Sequence, residues 1–123
     1  MVLVDTSLWV AHLRKGNMGL ETLLKEGKVV CHPLIVGELA CGNLKNRVEI
    51  LSLLQTLPMA TQGDHEEVMR FIEDHTLMGK GLGYIDIHLI VSAKVTDIPL
   101  WTADKILSEI SLKLGIGYPS GFY

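Results

Sequence analysis

The chain has 123 residues, 48% of them hydrophobic and 20% charged, with a formal net charge of -3 at pH 7. That length suits one compact domain able to bury a core without metal or disulfide staples, and the acidic balance excludes a protein that holds nucleic acid by bulk positive charge. No apolar run reaches the ~20 residues of a membrane span and no basic segment precedes an apolar stretch at the N-terminus, so one cytoplasmic domain spanning residues 1–123 is expected.

A mean hydropathy of +0.31 is high for such a chain, and points to a well-covered sheet or a surface buried by a partner. Cys31 and Cys41 show no metal-ligand spacing and read as small buried hydrophobes of a reducing compartment.

The apolar run over residues 1–4 predicts a strand covered on both faces, as in a parallel sheet. Asp5 falls at its carboxyl end, where open α/β folds bind ligands. Asp, Thr and Ser are also favoured N-caps, so Asp5 reads equally as a cap of the helix that follows. Short helices are predicted over residues 8–13 and 19–25, followed by a second strand over 28–32. Pro33 then opens a helix through residue 41. Glu38 is the only charged residue in that segment, either paired or coordinated, or lying on the helix's one wet stripe.

Residues 43–54 predict an amphipathic helix with Val48, Leu51 and Leu54 inward and Lys45, Arg47 and Glu49 outward. Residues 57–60 form a weak third strand, demoted to an edge by Pro58. Asp64 caps a charged helix from His65 to about Leu77, with Val68, Met69, Phe71 and Ile72 as its core face. The glycine-rich stretch 78–83 fits neither phosphate-binding loop pattern and reads as a connection. The next helix, residues 85–94, is apolar nearly all round and therefore central, with Asp86 in its first turn, where the helix dipole favours an acid. A fourth strand over 98–102 leads into Asp104, repeating the Asp5 arrangement. A last helix over 105–114 precedes a short closing strand over 115–118.

Alternating strands and helices predict an α/β domain with a mostly parallel sheet. If strand four returns beside strand one, Asp5 and Asp104 share the crevice at the topological switch point, and the helices carrying Glu38 and Asp86 start on the same side. Four clustered carboxylates repel one another, and a divalent cation is the simplest compensation. Oxygen-only ligands favour Mg²⁺ or Mn²⁺, which support in-line displacement at a phosphodiester. The five histidines, His12, His32, His65, His75 and His88, show no zinc spacing and read as structural or surface residues.

Four ordered pieces carry a family resemblance: Val4-Asp5-Thr6-Ser7-Leu8-Trp9, Val36-Gly37-Glu38-Leu39-Ala40-Cys41-Gly42, Gly83-Tyr84-Ile85-Asp86 and Leu100-Trp101-Thr102-Ala103-Asp104. With them the chain resembles PIN-domain proteins, and more narrowly VapC-type ribonuclease toxins of toxin-antitoxin pairs. The resemblance implies a three-layer fold around a five-stranded, mostly parallel sheet of order 3-2-1-4-5. It also implies an Mg²⁺ or Mn²⁺ site and endonucleolytic cleavage of RNA. Asp5, Glu38, Asp86 and Asp104 match the family's acidic cluster, with Asp5 and Asp86 as the foremost metal ligands, and Thr6, Ser7 and Thr102 match supporting hydroxyls. A homodimer and a cognate VapB-type antitoxin lying in a groove are implied as well.

The pattern departs from the family at Lys105-Ile106-Leu107, where basic-aromatic residues are common, and at Val95-Thr96-Asp97, which lacks a glycine before strand four. Arg14, Lys15, Lys45, Arg47, Lys80 and Lys105 are the candidate RNA contacts, each alone equally an ordinary solvated cation. Two further readings stand beside the nuclease. One is phosphotransfer through Asp5, although Ser7 occupies the place where haloacid-dehalogenase-like folds carry a second acid. The other is a non-catalytic RNA- or protein-binding module.

Overall fold

The computed structural model describes residues 1–119. Its centre is β1 (Val2–Val4), three residues buried on both faces. From β1 the chain runs through α1 (Thr6–Lys15) and α2 (Met18–Lys25) to β2 (Val29–Val30), then through α3 (Pro33–Ala40), α4 (Arg47–Gln55), α5 (His65–Asp74) and α6 (Tyr84–Thr96) to β3 (Leu100–Trp101), and ends with α7 (Lys105–Lys113). The sheet has the order β2-β1-β3 and is parallel throughout, with Val2 opposite Val29 and Val4 opposite Trp101. β3 returns to the free side of β1, so the switch point lies between these two strands, where the sequence places it.

The five-stranded expectation is corrected to three strands with a single bridge at either edge. Cys31 bridges Met59 and Leu100 bridges Gly117, both parallel and both within the predicted outer strands. The backbone explains why neither edge grows. Pro58 has no N–H to extend the ladder, and Gly115, Gly117 and Pro119 bracket the other edge with residues that disfavour strands.

The core is one continuous cluster that includes Leu3, Leu8, Leu20, Ile35, Leu89 and Trp101, packed around β1. A smaller cluster of Val68, Leu77, Ile87 and Val91 joins α5 to α6. α6 buries Ile87 and the whole run Leu89–Ala93, as its all-round apolar character requires. Pro33 stands in the first turn of α3, and the buried His32 caps that helix by accepting the Leu34 N–H at 3.0 Å on Nδ1. Asp64 forms the capping box of α5 with Glu67.

Several expectations fail at the periphery. α1 begins at Thr6 and is longer than predicted. α4 begins only at Arg47, because Asn46 takes a left-handed conformation (φ 53°), and Val48 is turned outward, 81% exposed, leaving Leu54 as the buried residue. Met69 lies outside the core face of α5. That helix stops at Asp74 because Thr76 turns left-handed (φ 51°) and the Leu77 N–H closes on the Ile72 carbonyl. Cys41 is exposed, whereas Cys31 is buried as expected. Among the described residues no helix is long and apolar enough to cross a membrane.

Candidate functional site

The pairing of Val4 with Trp101 fixes the site's geometry, because it sets Asp5 and Thr102 side by side just past the carboxyl ends of β1 and β3. The Asp5 N–H donates to the Trp101 carbonyl at 2.9 Å, so the last rung of the sheet is also the floor of the site. Asp5 is only 5% exposed. It occupies the N-cap position of α1, but its side chain makes no capping hydrogen bond. Its Oδ2 instead accepts from Thr102 Oγ1 at 2.7 Å and from Ser7 Oγ at 2.8 Å. The side chain of Asp5 therefore does not cap α1 but is held by two hydroxyls at the carboxyl end of the sheet.

The hydroxyl protons can be followed. Each hydroxyl has one proton, and both protons point at Asp5 Oδ2, so the 3.1 Å approach of Ser7 Oγ to Thr102 Oγ1 needs no hydrogen bond of its own. Each oxygen also accepts a backbone N–H, Ala103 onto Ser7 and Asp104 onto Thr102, both at 3.0 Å. Two amide-to-hydroxyl-to-carboxylate relays thus converge on one oxygen and fix the orientation of the Asp5 side chain.

Thr6, the first residue of α1, donates through Oγ1 to Glu38 Oε1 at 2.7 Å, which ties α1 to α3 and fixes a half-buried acid. Glu38 therefore has a partner and is not on a wet stripe. Asp86 accepts the Gly83 N–H at 2.9 Å on Oδ2, which satisfies the N-cap amide at the start of α6. Asp104 caps α7 by accepting the Leu107 N–H at 3.0 Å on Oδ1. Asp104 is thus a helix cap, and Asp86 lies in the first turn of α6 as expected.

Burial pushes the Asp86 carboxyl above its ordinary value; the Gly83 N–H opposes this, and the charges of Asp5, Asp104 and Glu38 all add to the rise. Three of the acids thus act on the fourth. They are not drawn to a common point: among the described residues no three His, Cys, Asp or Glu side chains meet at metal-ligand separations. Like charges without a cation between them repel, and each acid is turned to a local donor. Each nevertheless uses one oxygen only, and among the described residues the second oxygens of Asp5, Glu38, Asp86 and Asp104 have no hydrogen-bond partner. None of the four is ion-paired either, since the salt bridges of the described residues are Lys25 with Glu21 and Lys28 with Glu26. Oriented carboxylates with spare oxygens and no counter-charge fit a hard divalent cation such as Mg²⁺ or Mn²⁺.

Among the described residues none of the candidate basic residues is ion-paired with these acids. Arg14 and Lys15 sit in the last turn of α1, roughly 12 Å along the helix from Thr6. Lys45 and Arg14 line a separate cleft of about 480 Å³ between α1 and α4, and Arg47 donates to the Gly42 carbonyl at 3.0 Å. Lys80 and Lys105 are exposed, Lys80 in the glycine-rich loop and Lys105 directly after Asp104. The sequence reading missed Gly83, whose N–H orients Asp86. The signal was a glycine three residues ahead of an acid at a helix start, the capping-box spacing with a backbone in place of a side chain.

Comparison with known proteins agrees with this geometry. Residues 2–113 match the PIN domain. The chain is 41% identical over 117 residues to Ribonuclease VapC32 of Mycobacterium tuberculosis strain CDC 1551 / Oshkosh, covering 94% of both chains. The same figures hold for Ribonuclease VapC32 of strain ATCC 25618 / H37Rv. With a family match over residues 2–113 and 41% identity over 94% of the chain, the chain belongs to the PIN-domain family and, within it, to the VapC type.

Proposed function

We propose that the protein is a metal-dependent endoribonuclease, the toxin of a toxin-antitoxin pair acting on cytoplasmic RNA. The observation that carries the reading is the electrostatic convergence of Asp5, Glu38 and Asp104 on the half-buried Asp86 at the switch point, with no ion pair to any of the four among the described residues. The identity to proteins named as ribonucleases supplies the substrate class.

In this reading Asp5 and Asp86, supported by Asp104 and Glu38, hold Mg²⁺ or Mn²⁺ through their unused oxygens. The bound ion supplies charge neutralisation at the phosphodiester, activation of the attacking water and stabilisation of the leaving oxygen. The chain's own residues orient these acids. Ser7 and Thr102 fix the Asp5 carboxylate, Thr6 fixes Glu38, and Gly83 fixes Asp86. No side-chain nucleophile is required in this reading.

Two partners belong to the same proposal. The outer face of α1 and the facing side of α4 border the cleft lined by Arg14 and Lys45, continued through Leu13 and Ile50 into an apolar groove of about 310 Å³ floored by Trp9 and Leu54. An antitoxin segment with an apolar face and acidic flanks suits that surface. Exposed Met18, Val48, Leu53 and Leu112 provide apolar area for a homodimer or for the antitoxin.

Purified protein freed of antitoxin is expected to cut a cellular RNA pool into discrete fragments with Mg²⁺ or Mn²⁺ and to stop in chelator. Asp5→Asn should lower the rate by at least about 100-fold without unfolding the chain, as loss of a metal ligand at a charge-stabilising site does. A folded Asp5→Asn variant that cuts like the parent would overturn the mechanism. A folded wild-type protein that binds RNA and never cuts it would make the chain a binding module.

A further inference from the structure

His32 is fully buried, and its ring nitrogens have different partners. Nδ1 accepts the Leu34 N–H at 3.0 Å, so in the neutral ring the proton sits on Nε2, which lies 3.0 Å from Ser92 Oγ and donates to it. Ser92, on α6, is fully buried as well. Burial, with the His88 charge adding to it, pushes the His32 pKa down to about 4, so this tautomer persists at neutral pH.

Neither residue touches the acids, yet the bond between them joins the two helices that carry Glu38 and Asp86. From His32, the N-cap of α3, Glu38 lies six residues on; from Ser92, Asp86 lies six residues back along α6. Each arm is therefore roughly 9 Å long. The arms meet again at the site, where the Glu38 charge acts on Asp86. The hydrogen bonds that orient the individual acids leave this separation open. Thr6 ties Glu38 to α1, Gly83 ties Asp86 to the start of its own helix, and Ser7 and Thr102 hold Asp5. Among the described residues, the side-chain hydrogen bond that spans from α3 to α6 is the one between His32 and Ser92.

A buried polar pair gains little stability over apolar packing of the same shape, but it permits one distance and one orientation. We infer that the His32–Ser92 bond is a positioning strut that sets the spacing of Glu38 and Asp86 for a shared divalent cation. The inference rests on the divalent-cation reading of the four acids.

The test titrates Mn²⁺ into the metal-free protein by calorimetry and follows RNA cleavage against Mn²⁺ concentration. Ser92→Ala removes the acceptor and leaves the α3 cap in place, whereas His32→Asn keeps a side-chain acceptor for the cap and is too short to reach Ser92. Each is expected to weaken Mn²⁺ binding about ten-fold, the lower end of the loss seen when a group that orients metal ligands is removed. Cleavage should fall at low Mn²⁺ and recover at saturating Mn²⁺, with the KM for RNA little changed. The double variant should bind no more weakly than either single one, because both break the same bond. Leu20→Val, a core change in α2, lowers stability without touching the strut and should leave the Mn²⁺ affinity of the folded protein unchanged. Wild-type Mn²⁺ affinity in folded Ser92→Ala or His32→Asn, losses that multiply in the double variant, or an equal loss in Leu20→Val would each overturn the strut while leaving Mn²⁺ binding and Asp5-dependent cleavage by the wild type standing. A folded wild type that binds no Mn²⁺ would overturn the strut and the divalent-cation reading together.

Discussion

Asp5 shows how a short polar sequence is resolved by tertiary pairing. In sequence, Asp5-Thr6-Ser7 is a helix start with three possible caps. In the fold none of the three caps α1: Asp5 and Ser7 turn to Thr102, and Thr6 turns to Glu38. Residue types at strand ends were enough to nominate the acids, but the partner hydroxyls came from the register of β1 on β3, which no local pattern encodes. Asp86 carries the electrostatic consequence. A carboxyl whose folded value is raised binds its proton more tightly in the folded than in the unfolded chain, so ionising it costs stability. That cost is absent below the ordinary carboxyl range and complete above the raised value. Asp86→Asn removes the charge and leaves an oxygen for the Gly83 N–H. In chelator it is therefore expected to melt above the wild type at pH 7 and to converge with it below about pH 3.5, measured by thermal unfolding across pH. A variant that melts below the wild type at pH 7 would contradict the repulsion.

The elements that were legible are those whose burial is total. β1, β2 and α6 have continuous apolar sequence because tertiary structure covers them all round, and their identities followed from sequence. The helices with one covered face were placed less well. Val48 and Met69 are apolar at plausible core spacing yet exposed, because helix phase is set by where the chain enters, and Asn46 reorients the entry to α4. Helix ends depended on left-handed residues, which sequence flags at glycines such as Gly16 and Gly27 but not at Thr76 or Asp97. Gly27 and Gly115 end α2 and α7 at φ 68° and 77°, while Thr76 and Asp97 do the same work after α5 and α6 without glycine's freedom. Asp97 thus stands in for the glycine missing before strand four, and a short polar side chain tolerates that conformation better than a β-branched one. Thr76 is the strained case. Thr76→Gly is expected to stabilise the protein by about 1 kcal/mol, the left-handed penalty less glycine's extra chain entropy, read as a shift in urea midpoint with unchanged slope. A destabilised variant would show that the Thr76 side chain holds the turn by contacts that outweigh its strain.

For the molecule as a whole, composition foretold a covered surface, and the groove between α1 and α4 together with exposed Met18 and Val48 locates apolar area without naming what covers it. The sheet order followed from strand alternation plus family resemblance, while the two outer strands were reduced to single bridges by proline and glycine. The acids illustrate the same division. Their positions along the chain were readable, but the influence of Asp5 on Asp86 depends on β3 returning beside β1, which brings Asp5 and Thr102, 97 positions apart, together. The central claim is that these four carboxylates form a single divalent-cation site. It is tested most directly by calorimetric titration of Mn²⁺ into the metal-free protein and into Asp86→Asn. Binding to the wild type, weakened at least about ten-fold in the variant as expected when a ligand is removed, is the result this account requires. Equal affinity in the two proteins, or no binding to a folded wild type, would contradict it.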